Sequence, residues 1–131
     1  MPLFRRGDYD VVVFQALKEV EVAVRKASNA KKAGYPGSEV GTALMRKAFH
    51  PETGPLFGRV VVPAEREAVM HLFSGAIGHA KNPTSHRDVA INAQEAARLI
   101  IFASHLLDIV EQRAAKTFSD VGGSMIIHDP K

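Results

Sequence analysis

The sequence contains no cysteine and no tryptophan. Without cysteine, disulfides, thiolate zinc sites and thiol catalysis are excluded. That lack fits a reducing compartment, so a cytoplasmic protein is expected. Two Tyr and seven Phe are the only aromatic residues, too few for a broad base-stacking platform. Every apolar run is too short and too interrupted to span a bilayer, and no membrane contact is expected. The opening residues, Met1 to Asp8, lack the apolar stretch of a secretory leader. There is no phosphate loop of the P-loop type and no Gly-x-Ser-x-Gly elbow. Neither charge sign dominates. Lys and Arg number 17 against 14 Asp and Glu, a net charge of +3. That weak basic excess permits contact with nucleic acid without requiring it.

What is present is the composition of an ordinary globular chain. With 131 residues, 46% hydrophobic and 24% charged, it suits one domain with its own core. In residues 8–28, Val13, Leu17, Val20, Val24 and Ala27 recur at spacings of three and four, which predicts a helix with one buried stripe. Asp8 can cap it. A Gly- and Pro-rich loop follows over residues 31–37. A short second helix is expected over residues 39–49, capped by Ser38 and carrying Val40, Leu44, Met45 and Phe49 inward. Residues 50–55 have turn chemistry, and Val60 to Val62 suggests a short strand without an obvious partner. Pro63 suits the first turn of a third helix running to about Lys81, with Val69, Leu72, Phe73, Ala76 and Ile77 on its apolar side. The small residues from Ser74 to Ala80 predict an unusually close contact there with the fourth helix or a dimer mate, so that Gly75→Leu would destabilise by overpacking. Asn82-Pro83 breaks this helix. Asn92 and Glu95 have the spacing of a capping box, which predicts a fourth helix from Asn92 to about Lys116, roughly 36 Å long. Its apolar face, built from Leu99, Phe102, Ala103, Leu106, Leu107 and Val110, is broad enough to share with a two-fold partner. The expected architecture is all-α, a bundle of about four helices in residues 1–116, with residues 117–131 as a tail.

None of the six histidines is paired at i and i+4, and no His and carboxylate cluster has ligand spacing, so no metal site is expected. The segment Lys81-Asn82-Pro83-Thr84-Ser85-His86 is more informative. It gathers a cation, an amide, two hydroxyls and an imidazole in a helix-breaking turn. An imidazole can move a proton near neutral pH, and an ammonium can steady charge developing on a phosphate. These are the groups that metal-free RNA cleavage needs. The plainer reading is an interhelical turn in which Asn82, Thr84 and Ser85 only cap helix ends.

This segment resembles the Arg-x(4–6)-His motif of the HEPN superfamily, in its Arg-Asn-Pro-x-x-His variants. Phe4-Arg5-Arg6-Gly7-Asp8-Tyr9, followed by Val13, Ala16 and Glu21, resembles the HEPN opening helix. Leu72-Phe73-Ser74-Gly75-Ala76-Ile77-Gly78 and Ala103-Ser104-His105-Leu106-Leu107 resemble a bacterial subfamily of the Ymh type. The resemblance spans roughly Leu3 to Ala115. It implies a helical bundle that forms a homodimer, with the motifs of both protomers in one cleft. It implies RNA binding and metal-independent endoribonuclease activity in bacterial defence or toxin–antitoxin systems, with no cofactor. The implied catalytic residues are His86, Lys81 and Asn82. Glu21, Arg25, Ser85 and Arg87 are the implied RNA contacts, Glu21 and Arg25 because they match a Glu-x(3)-Lys/Arg element of the first long helix. Glu and Arg four apart on a helix also pair without any such role. A protein antitoxin or an associated nuclease is an implied partner. Other HEPN proteins are inactive and only bind protein, RNA or nucleotide, and that is the alternative function. One departure stands out: Lys81 occupies the place of the motif Arg, and a point charge orients phosphate less firmly than a planar fork.

Overall fold

The computed structural model describes residues 9–58, 60–81 and 91–115. Among them four helices and no strand are found: α1 (Tyr9–Ala30), α2 (Gly41–Ala48), α3 (Pro63–Ala76) and α4 (Ala93–Ala114). Below Ala76 the third helix continues as a π-helical turn, Ile77–Lys81. The result is the all-α bundle expected from the periodicity. No helix among the described residues is long and apolar enough to cross a membrane.

The stripe of α1 is the centre of the core. Val13, Leu17, Val20 and Val24 are fully buried and Ala27 nearly so. They face α4, which offers Ala96, Ala103, Leu106 and Val110. This is the most extensive helix pairing among the described residues. α2 and α3 close the other side, where the rings of Phe49 and Phe73 stack with centroids 4.1 Å apart. A stacked aromatic pair of this kind contributes about 1 kcal/mol beyond its buried area. α4 starts where the capping box predicts, with the Asn92 side chain accepting the Glu95 N–H at 2.7 Å.

Other expectations are corrected. Residues 60–62 form no strand: Val61 is 76% exposed, and Val62 serves as the N-cap residue of α3. With no second strand among the described residues to pair with, its backbone groups have no ladder to join there. Val40 and Leu72 lie outside the buried set, although periodicity assigned both inward. α2 begins at Gly41 and not near residue 39, and Ser38 does not cap it. The Asp8 cap and the residue 117–131 tail lie outside the described residues.

The connection between α2 and α3 is held by two arginines. Arg113 of α4 donates to the carbonyls of Leu56 (3.0 Å) and Phe57 (3.1 Å). Burial pushes its guanidinium pKa down from the ordinary arginine value. Arg66 of α3 donates to Pro51 O and Val60 O and lies 3.8 Å over the Phe57 ring. Leu56, between these anchors, is fully buried in the core.

The close helix contact falls on a different glycine. Gly75 is exposed, and a Cβ added there would meet nothing within 4 Å. Gly78, three residues on, would place its Cβ 3.3 Å from Thr42 Cγ2, so the close neighbour within the chain is α2 and not the expected fourth helix. Gly75→Ala is therefore expected to stabilise the chain by roughly 0.5–1 kcal/mol, because alanine loses less entropy in a helix. A rise of a few degrees in melting temperature checks it; a fall would restore the crowding idea.

Candidate functional site

Glu21 and Arg25 lie one turn apart on α1, so both reach the same neighbour. That neighbour is the start of α2. Glu21 is 1% exposed, and its Oε2 accepts the Gly41 N–H at 2.6 Å. Arg25 Nη1 donates to the Glu39 carbonyl at 3.0 Å. The Glu39 side chain in turn accepts from Lys47 Nζ at 2.9 Å. That hydrogen bond is the main reason the Lys47 pKa stands above its ordinary value.

Local sequence explains why α2 needs this help. Its N-cap residue, Val40, has no side chain able to cap. Gly41 carries φ +69°, a left-handed conformation that glycine adopts at little cost. The chain therefore enters α2 by a sharp glycine turn and presents an N–H that nothing local can satisfy. A carboxylate from α1 satisfies it and also complements the positive end of the helix.

The π-helical turn rests on this same corner. Gly78 approaches Thr42, the residue after Gly41, and the turn also packs against α1. A π-helical turn inserts one residue into the helical count and recurs at functional sites. Its last residue is Lys81, where the sequence motif begins. The fold thus brings together Glu21, Arg25 and the segment that ends in Lys81. Asn82, Ser85, His86 and Arg87 lie outside the described residues. Glu21 and Arg25 hold backbone here, so in this arrangement they position the corner of α2. Among the described residues, no three of His, Asp and Glu come together as metal ligands would.

Sequence reasoning did not find Glu39, Lys47 or Gly41. A signal for the corner existed. Glu21 stands between Val20 and Val24 at the edge of the buried stripe, where a carboxylate needs a partner. One partner, the Gly41 N–H, is twenty residues away, and nothing in local spacing names it.

Residues 1–110 match the family described as "Protein of unknown function (Hypoth_ymh)", and the chain belongs to that family. No curated protein and no solved structure matches the chain.

Proposed function

We propose that the protein binds RNA and cleaves it without a metal ion, as a cytoplasmic homodimer that joins two copies of the segment beginning at Lys81. The supporting observation is the corner just described. The π-helical turn leading into Lys81 is seated through Gly78 on the start of α2, which Glu21 and Arg25 grip from α1. A turn that carries reacting groups has to be held rigidly, since small misplacements cost much of the rate.

In the reaction, the His86 imidazole takes the proton of a ribose 2′-OH. The 2′-oxygen forms a bond to the adjacent phosphorus, and the bond from phosphorus to the 5′-oxygen breaks. The 5′-oxygen leaves with its electron pair and takes a proton from water. The products are a 2′,3′-cyclic phosphate and a 5′-hydroxyl. Lys81 stabilises charge on the phosphate, Asn82 fixes the turn, and Ser85 and Arg87 contact RNA. Biological roles consistent with this chemistry are defence and toxin–antitoxin systems, with an antitoxin protein as the partner.

Generic RNA incubated with the protein in EDTA tests the reading. Cyclic-phosphate ends are expected, with His86→Ala stopping cleavage while RNA binding persists. Lys81→Arg is expected to raise the rate, because a bidentate grip orients the phosphate better. A folded protein that cleaves no RNA at high concentration would overturn the enzymatic reading in favour of an inactive binding module. Equal cleavage by wild type, Lys81→Ala and His86→Ala would return the motif to an ordinary turn.

A further inference from the structure

One face of α4 is turned away from the core and has an order of its own. Gln94, Arg98, Ile101, His105, Asp108 and Gln112 are all exposed and follow one another at alternating spacings of four and three. That alternation keeps residues on a single seam along a helix, as in a coiled coil. At its middle stands Ile101, 70% exposed on an otherwise polar seam.

The seam is complementary to itself when reversed. Ala103 lies at its midpoint. Arg98 and Asp108 stand equally far on either side of that level, as do Ile101 and His105, and Gln94 and Gln112. Two copies laid antiparallel about a two-fold axis at Ala103 would therefore set each Arg98 against the other copy's Asp108. Each Ile101 would meet a His105, and each Gln94 a Gln112. Glu95 and Glu111 fall on opposite flanks of the seam, so the two copies bring no like charges together there. Neither Arg98 nor Asp108 has an ion-pair partner within the chain among the described residues. A parallel arrangement would instead set Arg98 against Arg98 and Asp108 against Asp108. The charge pattern thus selects both the occupant and its direction.

We propose that this face of α4 binds a second copy of the chain, antiparallel, through two reciprocal Arg98–Asp108 ion pairs around two Ile101–His105 contacts. The proposal rests on the homodimer of the functional reading for its stoichiometry, but not on the chemistry at His86. It differs from the expectation that part of the broad apolar side of α4 is shared; of that side, Ala103, Leu106 and Val110 are buried in the core and Leu99, Phe102 and Leu107 are partly buried against it. Small side chains, Ala97 and Ser104, flank the seam on one side and allow close approach. With one large apolar residue per copy, the contact is a modest one.

Sedimentation of the full chain and its charge-reversal variants tests this without reference to RNA. Wild type is expected to dimerise reversibly. Arg98→Asp alone and Asp108→Arg alone should each weaken the dimer at least about tenfold, since each sets two like-charge pairs face to face. The two single variants mixed should form a heterodimer, because every pair across the axis is then opposite in charge. The double variant, carrying both reversals, should recover the wild-type association. Circular dichroism of each variant separates loss of association from loss of fold. A wild-type monomer at roughly 200 µM overturns the proposal and leaves the seam to a different protein. A dimer indifferent to both single reversals overturns this interface while leaving the homodimer intact, and loss of RNA cleavage with normal charge pairing overturns only the reading of the motif.

Discussion

Replacing Glu21 by alanine is expected to cost about 3 kcal/mol of stability and to loosen α2 before the rest of the fold. The carboxylate is 1% exposed and caps the Gly41 N–H from another helix. Alanine leaves that N–H without its acceptor and opens space in the packed interior, and each loss contributes. α2 has eight residues, too few to hold a helix by propensity alone. Its stability comes from the burial of Leu44, Met45 and Ala48 and from its anchored start. Glu21→Gln keeps the size and an acceptor oxygen and removes the negative charge at the helix end, so about 1 kcal/mol is expected. Urea unfolding of the three proteins gives the order wild type, glutamine, alanine. Hydrogen exchange should show the amides of α2 opening soonest in the alanine variant. An alanine variant within about 0.5 kcal/mol of wild type would show that the carboxylate does not carry the start of α2. Because Gly78 leans on Thr42, loosening α2 would also unseat the turn that ends in Lys81.

This corner shows where the sequence is legible and where it is not. The stripe of Val13, Leu17, Val20 and Val24 can be read directly, because burial along one helix repeats with the helical period. The start of α4 can be read too, since Asn92 and Glu95 are both partners of one local bond. Glu21 and Gly41 are joined across two elements, and their bond exists only once α1 and α2 pack. The misplaced glycine has a related cause. Which of Gly75 and Gly78 faces a neighbour depends on helix rotation, and the chain leaves ordinary α geometry at Ile77. An added residue per turn shifts the facing direction in a way that apolar spacing does not announce. The seam of α4 is legible in spacing. What spacing leaves open is which of two amphipathic faces turns inward, and the depth of Ala103, Leu106 and Val110 decides that. Of the motif itself, the structure describes only the turn leading to Lys81; His86 and its neighbours lie outside the described residues.

Among the described glycines, Gly54→Ala is expected to be the most damaging substitution, costing about 4 kcal/mol or preventing folding. An added Cβ would fall 2.4 Å from His50 N, 2.6 Å from Ala48 O and 2.8 Å from His50 O. All three are backbone atoms, so no side chain can swing aside. The loop has to move, and much is attached to it. His50 Nδ1 accepts the N–H groups of Glu52 (3.1 Å) and Thr53 (3.3 Å), and Gly54 N–H itself bonds His50 O at 2.9 Å. Two residues later, Leu56 N–H bonds Ala48 O at 2.9 Å, which sets the fully buried Leu56 side chain into the core. Displacing Gly54 pulls against this bond and against the Arg113 hydrogen bonds to Leu56 and Phe57. Withdrawing one leucine from a packed core costs on the order of 3 kcal/mol, and the lost hydrogen bonds add to it. For a chain of this length that corresponds to a fall of roughly 12 °C in melting temperature. Gly37→Ala is the control: a Cβ there meets nothing within 4 Å, and no change beyond about 0.5 kcal/mol is expected. If thermal unfolding found both alanine variants equal to wild type, the backbone packing of residues 48–56 would not be what holds Leu56 in place.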